Sequence, residues 1–311
     1  MSVLSKINTP EAFAQTIPRD LVKNIEFRQN LHSYLAKDEA AQKAYLEMGF
    51  AVPQIIFDSS LWVYDADSLP GYRNRPFILR EPKQVYFIER LKDAIDNQHN
   101  LAADKSRKEG ATELICKMFV IYWLLSPLTS FLVGSRKEDL VDQSIEIKNG
   151  VLIGPHQCLF HKIMYAINTL PAWMKISYLK KHRFLQNLDN GAMIEGEATN
   201  ESFGAGNRAV AVLVDEVARI EPPTARHIID NIRDTSKCCI YNSTHFRFGA
   251  GHPYAKLLRS NKIEVVTLGY EDNPEKSVGA YYSENPGEVT ILDIGYYKEH
   301  YPEILEYAET I

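Results

Sequence analysis

The stretch Ala103-Asp104-Lys105-Ser106-Arg107-Lys108-Glu109-Gly110-Ala111-Thr112 decides how the rest of the chain is read. Set against G-x-x-x-x-G-K-[ST], Gly110 and Thr112 occupy the second glycine and the hydroxyl position. Ala111 stands where the lysine belongs, and Lys105 replaces the first glycine. A loop of this kind wraps phosphates with backbone N–H groups, and a lysine at its entry can reach the same oxygens from the other side. Taken alone, the stretch also suits a basic turn capping a helix. Its flanks favour the phosphate reading: 100–103 (NLAA) fits a short buried strand and 112–125 (TELICKMFVIYWLL) an apolar helix. Strand, loop and helix in that order aim a helix N-terminus, with its free N–H groups, at an anion.

The bulk properties set outer bounds. With 311 residues, 45% hydrophobic and 24% charged, the chain can bury a large core and has the make-up of an ordinary soluble protein rather than a disordered one. The apolar run 118–125 is too short to span a bilayer, and the N-terminus MSVLSKINTPEAF lacks the basic-then-apolar layout of a signal peptide, so a cytoplasmic protein is expected. Cys116, Cys158, Cys238 and Cys239 form no CxxC pair and read as buried thiols of a reducing compartment. His156, Cys158 and His161 lack a second ligand cluster of zinc-like spacing, so no zinc site is expected. A net charge of -5 neither announces nor excludes nucleic-acid binding, because a motor that releases DNA in every cycle can use a small basic patch. The acid-rich last fifty or so residues are a poor candidate for that patch.

Residues up to about Gly49 read as amphipathic helices, with starts at Thr9-Pro10-Glu11 and within 36–48. The stretch 51–80 mixes aromatic residues with Pro and Gly and suits a strap laid over a core. From Phe77 onward short β-branched runs alternate with helical ones, the pattern of an α/β domain on a mainly parallel sheet. Strands are expected at 100–103, 131–134, 209–214, 237–241 and 263–270, and helices at 112–125, 158–169, 224–233 and 253–260. Asp189-Asn190-Gly191, between the runs 183–188 and 192–198, predicts a hairpin with a type I′ turn.

A second group of residues carries chemistry. The apolar run 209–214 (AVAVLV) followed by Asp215-Glu216 fits a strand buried on both faces with carboxylates at its C-terminal end, where ligands bind in open α/β sheets. In a nucleotide motor Asp215 would hold magnesium through water or the Thr112 hydroxyl, and Glu216 would polarise the attacking water. Solvent-facing acids at a strand end are the plain alternative. Order tells in favour of the site, because a loop, a helix and then hhhhDE about a hundred residues later have the arrangement of Walker A and Walker B. Ile240-Tyr241-Asn242-Ser243-Thr244 is a further strand ending in small polar residues, able to sense hydrolysis beside a γ-phosphate, although Asn-Ser-Thr alone also makes a turn. Gln84 could read an adenine edge with its amide. Arg208 could supply an arginine finger to a neighbouring subunit, with Arg107 as a rival acting in cis.

In this order the pieces resemble the N-terminal ATPase domain of a tailed-phage large terminase. The resemblance runs from about Phe57 to Lys276 and rests on Leu61-Trp62-Val63-Tyr64, the segment ending at Gln84, and the loop from Lys105 to Thr112 with its lysine at the front. It continues through Ser135-Arg136-Lys137-Glu138-Asp139-Leu140, the run Ile194-Glu195-Gly196-Glu197-Ala198-Thr199-Asn200 leading past Arg208 to Asp215-Glu216, Asn242-Ser243-Thr244, and Asn273-Pro274-Glu275-Lys276. It implies a P-loop NTPase fold of the RecA/ASCE-like kind, with an N-terminal helical and strapping segment (1–76), an ATPase core (77–270) and a lid or start of a linker (271–311). A nuclease domain, usual in the family, is not expected within this length. The resemblance further implies ATP and Mg2+ as cofactors. Lys105, Ser106, Arg107, Lys108, Glu109, Gly110, Ala111 and Thr112 would bind nucleotide with Gln84. Thr112 and Asp215 would hold the metal, Glu216 would be the catalytic base, and Asn242, Ser243 and Thr244 would couple hydrolysis to movement. Its implied partners are double-stranded DNA, further copies of itself in a ring, the portal protein and the small terminase subunit, in the host cytoplasm and with no membrane. A helicase-like P-loop motor and a nucleotide-binding subunit with a decayed loop are the competing readings.

Overall fold

The computed structural model describes residues 9–244, 249–282, 289–306 and 309–310. Its N-terminal part is helical where the sequence supplies caps. Thr9 accepts from the Ala12 N–H at 3.2 Å and starts α1 (Pro10–Thr16). Asp20 and Asp38 do the same, at 3.0 Å each, for α2 (Leu21–Leu35) and α3 (Glu39–Ala51). A short helix, α4 (Gln54–Ser59), follows inside the stretch expected to be irregular. Its buried Ile55, Ile56 and Phe57 are too brief a run to show helical periodicity. The strap begins after it, with β1 (Trp62–Tyr64) antiparallel to β2 (Asn74–Pro76), and leads to α5 (Lys83–Asp96).

The α/β core then unfolds in the expected alternation. The strand β3 (Leu101–Lys105) runs through the loop into α6 (Ala111–Leu125), then β4 (Ser130–Ser135), α7 (Glu138–Val141), the small hairpin β5 (Glu146–Lys148) and β6 (Val151–Ile153), and α8 (Leu159–Asn168). After these come β7 (Tyr178–Lys181), β8 (Phe184–Asn187), β9 (Met193–Ala198), β10 (Ala211–Asp215), α9 (Pro222–Asn231), β11 (Cys239–Ser243), α10 (Pro253–Leu258), β12 (Glu264–Leu268) and α11 (Pro274–Ser277).

The principal sheet has the order β12-β3-β11-β10-β4-β9-β8-β7. It is parallel from β12 to β9, and the β7–β8–β9 meander closes it with antiparallel pairs. β11 lies between the strand that feeds the loop and the strand that ends in Asp215, which is the order of a P-loop NTPase with an additional central strand. Both faces of the sheet are covered. Ala211 and Leu213 join the larger core cluster with Phe131, Val133, Ile240 and the apolar residues of α6, while Val212 and Val214 face the second cluster with Ala225 and Ile228 of α9 and Tyr254 of α10. A strand buried on both sides is apolar at every position, hence AVLV before the first acid. α6 is apolar all round because the sheet takes one side of it and α3, α5 and α8 the others.

The hairpin at 183–198 forms, with Gln186 opposite Met193, but its turn is not type I′. That turn needs positive φ at both central residues, whereas in 188–191 only Gly191 (φ 77°) has one. Asn187 shapes the turn instead, its side-chain oxygen accepting from the N–H groups of Asp189 (2.9 Å) and Asn190 (3.2 Å). All four cysteines are buried and free. Among the described residues no helix is long and apolar enough to cross a membrane.

Candidate active site

Parallel strands place their C-terminal ends on one edge, and the residues expected to carry chemistry meet there. Lys105 is the last residue of β3, its side chain only 7% exposed. The backbone turns at Lys108 (φ 62°) and Gly110 (φ 78°) before entering α6. Gly110 caps the helix without a side chain, so the first-turn N–H groups of a fifteen-residue helix are left for an anion. A Cβ at Gly110 would stand 3.3 Å from the Gln84 amide nitrogen, in a backbone conformation that L side chains rarely adopt. Ala111, at the position where the pattern has lysine, is buried in the core, and the Lys105 amine lies at the end of β3 that enters the loop.

Two adjacent strands converge on the Thr112 hydroxyl. Thr112 Oγ1 donates to Asp215 Oδ1 at 3.1 Å, and Asn242 Nδ2 donates to Thr112 Oγ1 at 3.0 Å and to Asp215 Oδ1 at 2.6 Å. This contact follows from register, since Asp215 of β10 pairs with Asn242 of β11. Burial pushes the Asp215 carboxyl up, and the charge of Glu216 adds to the effect, against Lys105, Asn242 and Thr112. Glu216 is in the left-handed region (φ 56°, ψ 40°), and Lys105 Nζ lies 3.7 Å from its Oε1. Ser243 Oγ accepts from the Ala218 N–H at 3.1 Å, which ties the end of β11 to the turn after Glu216. Thr244 lines an open cleft of about 730 Å³ together with Lys105, Ser106, Arg107 and Leu268.

The loop itself is held from behind by side chains that include Gln84, Lys108 and Glu109, which the sequence proposed for nucleotide, and Arg80, which it did not single out. Glu109, 1% exposed, accepts from Ser106 Oγ (2.8 Å) and Arg80 Nη2 (2.8 Å) and pairs with Lys276 of α11. Arg80 and Gln84 each donate to the Glu109 carbonyl at 2.9 Å. Gln84 is buried, and its amide oxygen accepts from the Arg80 N–H at 2.9 Å, so this side chain braces the loop. Lys108 Nζ pairs with Asp67 of the strap at 2.8 Å. Arg107 is exposed at the mouth of the cleft. Arg208 stands apart: it precedes β10, at the opposite end from Asp215, and is exposed. The length of β10, four residue steps from Ala211 to Asp215 or roughly 13 Å, lies between them. Arg219 was also not anticipated, although its spacing of three from Glu216 is visible in the sequence; its Nε lies 3.0 Å from Glu216 Oε2.

The donor set suits magnesium. Thr112 and Asp215 offer oxygen ligands, as a hard cation requires, and Asn242 Oδ1 and Thr244 Oγ1 are buried with no hydrogen-bond partner among the described residues. By contrast Asp93, His99 and Glu264, which also cluster, already enclose a cation of their own: Arg90 Nη2 lies 2.7 Å from Asp93 and 2.8 Å from Glu264.

No family model matches the chain, and no curated protein matches it in sequence. Solved structures are similar in fold. The HK97 bacteriophage large terminase is 14% identical, with a TM-score of 0.45 over 62% of this chain and 40% of that one. A large terminase from a thermophilic bacteriophage, solved in complex with ADP, is 12% identical, with a TM-score of 0.45 over 62% and 46%. The ATPase domain of the Thermus phage P74-26 large terminase is 13% identical, with a TM-score of 0.37 over 57% and 78%. The chain therefore spans less than half the length of the first two terminases. Likeness at this level is likeness of fold and assigns no activity.

Proposed function

We propose that this chain binds and hydrolyses ATP with Mg2+ and is the motor domain of a phage large terminase, driving double-stranded DNA into a procapsid. The observation that carries the reading is the meeting of Lys105, Thr112, Asp215, Glu216 and Asn242, from three adjacent strands and one helix N-terminus, at a single edge of the sheet.

In this reading the N–H groups at the start of α6 and the Lys105 amine hold the phosphates. Thr112 and Asp215 hold Mg2+, which when bound neutralises phosphate charge. Glu216 accepts a proton from the attacking water, for which its Oε1 faces Lys105 and the loop. Asn242 touches the metal-holding pair while Ser243, its neighbour, holds the turn after Glu216, so β11 touches both halves of the chemistry and can pass a change at one to the other. Arg208, at the far end of β10, would serve a neighbouring copy rather than its own site.

Steady-state phosphate release tests the proposal. Glu216→Ala and Lys105→Ala are expected to lower kcat/KM for ATP by about 100- to 10,000-fold. Full activity in Lys105→Ala would remove the lysine from the site and the reading with it.

A further inference from the structure

The Glu216 carboxylate has a cation at each oxygen: Lys105 Nζ at 3.7 Å from Oε1, and Arg219 Nε at 3.0 Å from Oε2 as a buried ion pair whose atoms make no hydrogen bond among the described residues. The fold builds the second contact. The left-handed backbone at Glu216, disfavoured for a residue with a Cβ, turns the chain into the 3-10 segment Val217–Arg219. The Arg219 N–H donates to the Glu216 carbonyl at 2.9 Å, which brings the guanidinium back over the carboxylate. Val217 and Ala218 anchor the turn in the second core cluster, Ser243 Oγ accepts from the Ala218 N–H, and the His252 ring bonds the Ile220 carbonyl at 3.0 Å. Arg219 does not line the cleft between the loop and Thr244.

We infer that Arg219 is a positioning residue for Glu216: by holding Oε2 it fixes the rotation of the carboxylate so that Oε1 faces the phosphate loop. This rests on the ATPase reading above. Lys105 and Arg219 then have different fates when nucleotide binds. A phosphate competes for the Lys105 amine and frees Oε1 to take a proton, while Arg219 keeps Oε2 and the carboxylate stays aimed. A free carboxylate would rotate about its last side-chain torsion, which is broad and has no strong preference.

The test is ATP turnover by the full chain carrying Arg219→Ala, Arg219→Lys, Glu216→Ala or Glu216→Ala with Arg219→Ala, each checked for an unchanged thermal transition. Arg219→Ala is expected to lower kcat about 10- to 100-fold, the range for a misplaced catalytic group, with KM for ATP within about threefold of the parent. Arg219→Lys should recover most of the loss, and the double variant should be no slower than Glu216→Ala alone. Wild-type kcat in Arg219→Ala, a KM that rises as kcat falls, or a further loss in the double variant would each overturn the inference, the last two because they put Arg219 on the nucleotide itself. Hydrolysis unaffected by Glu216→Ala alone would instead overturn the ATPase reading, and this inference with it.

Discussion

At the scale of single residues, Asp215 shows what the site costs the fold. Its carboxyl is pushed up by burial and by Glu216, so its contribution to stability is present when it is protonated, below the ordinary carboxylate range, and is lost as pH rises through the raised value. At neutral pH without metal the ionised form is therefore a burden. Asp215→Asn should raise the melting temperature in a chelator at neutral pH by on the order of 2 °C, and the gap should close as the buffer is acidified. A lower melting temperature for the variant at neutral pH would contradict the assignment. The placement of Lys105, Asp215 and Asn242 was legible because each ends an apolar strand run, and that of Thr112 because it opens the apolar run of α6. The brace was not, because it joins positions far apart in sequence: Glu109 was expected to bind nucleotide, Arg80 had no assigned role, and Lys276 entered only through the resemblance. Gln84 was singled out for the adenine edge, but its contacts are with the loop backbone.

At the scale of elements, the phosphate loop is a strand end and a helix start braced by a strap and by α11. Replacing Arg80 with alanine removes two hydrogen bonds to Glu109, one of them to its carboxylate. The expected cost is about 1.5–3 kcal/mol in urea unfolding, with a raised KM for ATP as the loop loosens. An unchanged KM would mean that the brace stabilises the fold without shaping the site. Strands flanked by sharp breaks, such as β3, β4 and β10, lay within a residue or two of expectation. The edge strand β7 and the β5–β6 hairpin went unread, because Tyr178–Lys181 is two apolar residues followed by two lysines with no alternation, and the hairpin strands are only three residues each. Local Asn chemistry at 187–190 overrode the turn type that Asp-Asn-Gly suggested.

At the scale of the whole molecule, strand direction separates Arg208 from the site of its own chain, so its proposed role needs a second copy. Arg208→Ala should then hydrolyse ATP normally when dilute and fall behind the parent only at concentrations where copies associate. Mixing it with Glu216→Ala should recover part of the lost turnover, each copy supplying what the other lacks. Equal loss at every concentration would place the effect within one chain. The sheet order brings three separated motifs to one edge, and that convergence is the part of the candidate site the sequence could indicate only by order. The central claim is that this edge binds ATP and breaks it, rather than binding alone. Glu216→Gln, incubated with γ-labelled ATP and Mg2+ and then separated from free nucleotide, tests it most directly. The account predicts that the variant retains intact ATP while the wild-type protein releases phosphate; hydrolysis by Glu216→Gln at the wild-type rate would contradict it.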